Sequence, residues 1–153
     1  MSATVVAHTI FDDQEEATMA YPIKEIQAIG ADAAQILKSE GIRTTVGLLR
    51  SGKTPKQRLK IAEKIGIDDE HVLSWVTAAD RMRVKGVGWE YAQLLLAVGV
   101  KTAKELKYRN PQKLVDQMAE ANTKRKLVRV LPSVSMVSRW IDSAKKLSPL
   151  IRY

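Results

Sequence analysis

The 153-residue chain contains no cysteine, which excludes disulfides and thiolate metal sites. Its histidines are His8 and His71, and they form no H-x-x-x-H or similar pair, so no metal site is expected. Aromatic residues make up 5% of the chain while hydrophobic residues reach 45%. The core must therefore come from Leu, Ile, Val, Ala and Met, a composition that suits helices. The longest uncharged apolar run, YAQLLLAVGV, is half of the ~20 residues that a membrane span needs, so no membrane association is expected. The N-terminus has neither the basic start nor the long apolar stretch of a secretory signal, and the cytoplasm is the expected location.

Negative charge is scarce over most of the chain. Asp12, Asp13, Glu15 and Glu16 lie within residues 1–21, which hold no Lys or Arg. Setting those four acids aside leaves 25 Lys and Arg against 13 carboxylates, a balance of +12 in a protein of net charge +8. Such an excess favours a polyanionic partner, nucleic acid first, with a solvated lysine-rich surface as the alternative. Residues 1–20 are expected to be an acidic tail with a short extended piece at TVVAHTIF. Folding of this segment against the body is the competing reading.

From Pro22 onward the chain repeats itself. With IKEIQAIGADAAQILKSEGIRTTVGLL (23–49) set over RMRVKGVGWEYAQLLLAVGVKTAKELK (81–107), Gly30 falls on Gly88, Ala34 on Ala92, Leu37 on Leu95 and Gly41 on Gly99. Thr44 falls on Thr102 and Leu48 on Leu106. With one indel, HVLSWVTAADRM (71–82) falls on MVSRWIDSAKKL (136–147), which pairs Val72 with Val137, Trp75 with Trp140 and Ala79 with Ala144. Apolar residues recur at three- and four-residue spacings in both copies, and no segment alternates long enough for a strand. Gly41 and Gly99 suit helix ends that need a left-handed backbone. Thr102 with Glu105 reads as a capping box, and Pro55 and Pro111 suit first helical turns. Trp75 and Trp140 read as core, and His71 as a surface residue in the first turn of its helix. The expected architecture is all-α, with an acidic tail over 1–20, units over 21–80 and 81–147, and a C-terminal tail over 148–153.

One motif competes with this organisation. GLLRSGKT (47–54) satisfies the G-x-x-x-x-G-K-[ST] pattern of a phosphate-binding P-loop. A working P-loop follows a buried strand and opens a helix. Here a capped helical turn precedes the pattern, and the second copy has ELKYRNPQK in the corresponding place. The segment is expected to be an inter-helix turn.

VKGVGWEYAQLL (84–95), and less fully IQAIGADAAQIL (26–37), resemble the helix-hairpin-helix motif h-x-G-h-G-x-x-x-A-x-x-h. The first copy has Ala28 where the second has Gly86. In this motif a tight glycine turn brings the backbone close to a phosphate, and the next helix presents free N–H groups and a positive dipole end to it. Residues 21–147 also resemble the domain of unknown function 4332 family, through YPIKEIQAIG, TPKQRLKIAEKIGI, ADRMRVKGVGWEYAQLL, RNPQKL and LVRVLPSVSMVSRWI. That likeness implies a tandem helix-hairpin-helix array and brings no activity with it.

The helix-hairpin-helix motif, together with the basic balance of the body, leads to an expectation of sequence-independent binding of duplex DNA, or another nucleic acid, without catalysis or a cofactor. Gly30, Gly86 and Gly88 would let backbone amides reach phosphates. Lys53, Lys56, Arg58, Lys60, Lys85, Lys101 and Lys104 would supply the attraction, and further basic residues lie at Lys107, Arg109, Lys124, Arg125, Lys126 and Arg129. Asp32 and Glu90 stand where such motifs usually carry Lys, Arg, Ser or Thr, and would repel a phosphate at short range. The alternative is a protein partner held by a scaffold that no longer takes DNA. Trp89, at the hairpin tip, could stack on a base, anchor such a partner, or pack against the neighbouring helix.

Overall fold

Local signals decide where each helix begins and ends. The computed structural model describes residues 8–12 and 15–153, and among them the body is built from eight α-helices. α1 (Ala31–Ser39) and α5 (Trp89–Ala97) run out into Gly41 (φ 82°) and Gly99 (φ 86°), both left-handed. Just beyond, the amides of Ile42 and Val100 return to the carbonyls of Leu37 and Leu95, each at 2.9 Å, and so satisfy the helix ends. α2 (Thr45–Ser51) starts on Thr44, whose hydroxyl accepts the Gly47 amide at 2.9 Å. α3 (Pro55–Ile65) and α7 (Pro111–Arg125) each carry proline in the first turn, where its missing N–H leaves nothing unbonded. Thr54 and Gln57 close a reciprocal capping box on α3, and Asn110 caps α7. α4 (Asp69–Met82), α6 (Ala103–Leu106) and α8 (Val134–Lys145) complete the set.

The P-loop pattern is met by accident. Gly47 to Ser51 lie inside α2, Gly52 follows its last turn, and Thr54 caps α3. Gly52 is a packing glycine, since a Cβ there would sit 2.6 Å from the Val76 side chain. Its carbonyl and that of Lys53 accept hydrogen bonds from Arg58, which leaves the turn organised around a cation and not an anion.

The capping box expected at Thr102 does not form. Thr102 makes no side-chain cap, and Glu105 Oε2 accepts the amide of Lys101 at 2.7 Å. The donor at the start of α6, Ala103 N–H, goes to Asp80 Oδ2 at 2.8 Å. A buried carboxylate from 23 residues upstream has taken the place of the local hydroxyl.

Nor do the described residues before Tyr21, 8–12 and 15–20, stand apart as a tail. β1 (His8–Asp12) and β2 (Glu15–Ala20) pair antiparallel, with His8 opposite Ala20 and Asp12 opposite Glu15. The β2 backbone docks on the body through Met19 N–H to the Arg83 carbonyl at 3.2 Å, and Thr18 and Ala20 are buried. The extended piece read at TVVAHTIF lies partly on β1 and partly outside the described residues. Beyond β2, Tyr21 and Ile23 bond along Arg43–Thr45, leading the chain into the helical body.

One continuous core underlies the helices. Trp75 on α4 and Trp140 on α8 are both buried, as are Ile23, Ile26, Val84 and Val87 beside the inter-helix turns. Each fully buried side chain of this kind stabilises by about 1.5–3 kcal/mol. α4 packs against α2 and α3 on one side and α5 on the other, so a unit boundary at 80/81 falls inside it. α1 and α5 begin 58 residues apart, as do α2 and α6.

Candidate nucleic-acid interface

The turn between α4 and α5 is built around its valines. Val84 and Val87 are fully buried, and the Val87 amide bonds the Val84 carbonyl at 3.0 Å. The turn before α1 does the same with Ile26 and Ile29, at 2.9 Å. The two differ at the first glycine of the motif, which the second copy has and the first replaces with Ala28. Gly86 has φ 92°, whereas Ala28 is not among the residues of positive φ.

Gly86 is exposed, but the side where a Cβ would stand faces Trp140. A Cβ there would lie 3.0 Å from Trp140 Nε1, so this glycine is needed for its left-handed backbone and for the tryptophan against it. Gly30 and Gly88 behave differently: nothing lies within 4 Å of a Cβ at either. Gly86→Ala should therefore lower stability by about 1–2 kcal/mol, while Gly30→Ala, at φ −70°, should stay within about 0.5 kcal/mol of wild type. Urea unfolding of both variants separates a glycine held at positive φ against a tryptophan from one with open space around it.

Gly30 and Gly88 are also the N-cap residues of α1 and α5, and neither helix has a side-chain cap. α2, α3, α7 and α8 are capped by Thr44, Thr54, Asn110 and Ser133. The uncapped amides and the dipole make each hairpin helix start an attractive place for an anion. Asp32 and Glu90, both exposed, sit in those same first turns. Each helix thus brings its own carboxylate to the end where an outside anion would bind.

The aromatic residues after the second hairpin serve the interior. Trp89 packs part-buried on the core. Tyr91 stacks at 5.1 Å on Trp140 with its ring tilted 52°, and its hydroxyl donates to the Val130 carbonyl at 3.0 Å.

Arg58 is not part of a basic surface. Its side chain is 4% exposed, and its guanidinium donates to the carbonyls of Gly52 and Lys53 at 2.9 Å and of Arg152 at 2.7 Å. Loss of solvation pushes its pKa below the usual arginine value. Its spacing from Ile61, Ala62 and Ile65 puts it on the inner face of α3. The remaining predicted cations stay accessible: Lys56, Lys60, Lys85 and Lys104 are exposed, and Lys53 and Lys101 are half-buried.

The C-terminal residues bring some of these together. The segment from Ser148 to Tyr153 is tied down, through the Ser148 carbonyl to Arg83 at 2.9 Å and the Arg152 amide to the Lys53 carbonyl at 2.8 Å. Leu150 and Ile151 pack on the core, and Lys101 Nζ lies 5.1 Å above the Tyr153 ring. Lys53 and Arg152 flank one side of this segment, and Lys104 and Tyr108 flank the other. Lys60 is elsewhere, on a groove between α1 and α3. Lys85 belongs to the second hairpin, where its amide meets Ser143 Oγ at 3.4 Å.

A buried charge cluster, unmarked by the sequence reading, holds these parts in place. Asp80 Oδ1 accepts from Arg83 Nε and a terminal nitrogen, at 3.1 and 2.8 Å, while Oδ2 caps α6. Arg81 donates to the carbonyls of Ala92 (2.8 Å) and Lys101 (2.9 Å), linking α5 to the stretch before α6. Burial pushes the Arg81 guanidinium down to about 10, against the opposing pull of Asp80 and Glu105. The described residues contain no cluster of His, Asp or Glu able to hold a metal ion. None of their helices is long and apolar enough to cross a membrane.

The turns, the ADRMR stretch and the basic helices that define this surface all fall within residues 27–147, which match the domain of unknown function DUF4332. The chain belongs to this family. Searches of the curated proteins and of the solved structures gave no match. The DUF4332 region includes both open N-caps and the Asp80 cluster, and it leaves β1, β2 and the C-terminal segment outside.

Proposed function

We propose that the protein is a non-enzymatic, cytoplasmic binder of duplex DNA without sequence preference, built from two tandem helix-hairpin-helix units. The observation that carries this reading is the pair of open N-caps at Gly30 and Gly88, each at the start of a helix without a side-chain cap. Backbone amides there position a phosphate, and accessible lysines supply attraction that does not read bases. The contacting set is Gly30, Gly88, Lys53, Lys56, Lys60, Lys85, Lys101 and Lys104. Gly86 supports it by shaping the turn, and Arg58 by holding the Lys53 loop.

A second reading has its own support. Asp32 and Glu90 oppose a phosphate, and Val130, Leu131 and Val134 are exposed at 71%, 40% and 38% on the approach to α8. A protein partner would use that apolar surface. Fluorescence anisotropy with two labelled duplexes of unrelated sequence distinguishes the readings. The proposal expects equal affinity for both at low salt. Absence of binding to either leaves the protein-partner reading.

A further inference from the structure

Beside the C-terminal segment lies a cleft of about 430 Å³ whose lining includes Lys104, Glu105, Tyr108, Leu150 and Tyr153. The hairpin reading draws on Lys101 and Lys104 at its edge but makes no use of its two tyrosines. Tyr108 and Tyr153 are exposed, at 76% and 66%. Neither does anything for the core, and each ring carries an ammonium group over it: Lys107 Nζ at 5.3 Å from the Tyr108 centroid and Lys101 Nζ at 5.1 Å from that of Tyr153. A lysine over one face orients a ring and leaves the other available for stacking. Partial burial, with the nearby charges of Glu105 and Asp80, raises the Tyr153 pKa, so its hydroxyl stays a neutral donor at neutral pH.

We propose that this cleft binds single-stranded nucleic acid, with Tyr108 and Tyr153 stacking on bases and Lys101, Lys104 and Lys107 contacting the backbone. Exposed aromatic rings interleaved with cations form the surface that holds unpaired strands without regard to sequence. A duplex cannot use it, because its base faces are already stacked on one another. The apolar floor at Leu150 suits a base, and Lys53 and Arg152, on the far side of the Pro149–Ile151 stretch, continue the cationic track. Two carboxylates line the cleft: Asp80 is buried and bonded to Arg83 and the Ala103 amide, and the Oε2 of exposed Glu105 accepts the Lys101 amide at 2.7 Å. Glu105 opposes phosphate locally, so affinity must come from stacking as well as charge. An acidic peptide offers no such stacking.

The test uses the full chain, a labelled oligothymidine and an abasic strand of equal length and charge. Tyr108→Leu and Tyr153→Leu should each weaken oligothymidine binding roughly 5- to 100-fold. Tyr→Phe at either position should retain it, and the abasic strand should bind the wild type no better than the Leu variants bind oligothymidine. Both rings are largely exposed, so unfolding midpoints should stay unchanged and serve as the folding control. Equal binding of the abasic strand, unchanged affinity of both Leu variants, equal affinity for polyglutamate, or no binding of oligothymidine at low salt would each overturn the proposal. Duplex binding is read separately: its loss with oligothymidine binding intact removes the hairpin reading alone, and the converse removes the cleft alone.

Discussion

Asp80→Ala is expected to destabilise the protein by about 3–5 kcal/mol, the range for removing one partner of a buried ion pair. The change does three things at once. It leaves the Arg83 guanidinium, 1% exposed as a side chain, without its carboxylate. It frees the Ala103 amide, which has no local cap to replace Asp80. It also loosens the anchor of the C-terminal segment, because the same Arg83 holds the Ser148 carbonyl. Asp80→Asn should be milder but still destabilising, since an amide has one acceptor oxygen for the three N–H groups that the two oxygens of Asp80 now serve. Asp80→Ala combined with Arg83→Met should recover part of the loss, because the buried guanidinium that Asp80 balances is then gone. Urea unfolding of the four proteins reads this coupling. A loss under 1 kcal/mol for Asp80→Ala would mean that the cluster does not hold α6 and the C-terminal segment in place.

Asp32→Lys and Glu90→Lys together should tighten duplex DNA binding by roughly 2 kcal/mol, or about thirtyfold, taking on the order of a kilocalorie for each charge-assisted contact. The carboxylates now sit in the first turns of α1 and α5, beside amides without side-chain caps. Removing them also costs each helix about 0.3–1 kcal/mol of favourable interaction with its dipole. The double variant should therefore bind better while melting somewhat earlier, a combination that a general gain of stability cannot produce. A control carrying two lysines on α7, away from the hairpins, fixes the gain due to net charge alone. Equal tightening by the control would take the hairpins out of the mechanism.

What the sequence made legible was local. The left-handed glycines after α1 and α5, the prolines opening α3 and α7 and the paired tryptophans follow from spacing and backbone preference over a few residues. Arg58 escaped because a charged residue among lysines reads as surface. Its inward direction shows only when its spacing from Ile61, Ala62 and Ile65 is set against its own charge. Thr102 failed as a cap for a reason no window around it contains, since its role is filled from α4 by Asp80. Likewise β2 docks on a carbonyl at Arg83, some sixty residues away, so nothing within residues 1–20 announces the contact. The candidate interface divides in the same way. Gly30 and Gly88 keep the open backbone expected of them, while Gly86 is occupied by Trp140, a residue of the last helix. The C-terminal segment joins Lys53 to Lys101 and Lys104 through tertiary contacts alone.

The most direct test of the account is the affinity for a mixed-sequence duplex measured across salt concentration. Log affinity should fall linearly with log salt, with a slope of about −0.9 for each phosphate neutralised. Lys56→Ala with Lys60→Ala, both exposed on α3, should make that slope shallower by about 1.8 and weaken binding equally for every sequence. An affinity that does not change with salt, or no retention of duplex even at the lowest salt, would contradict it.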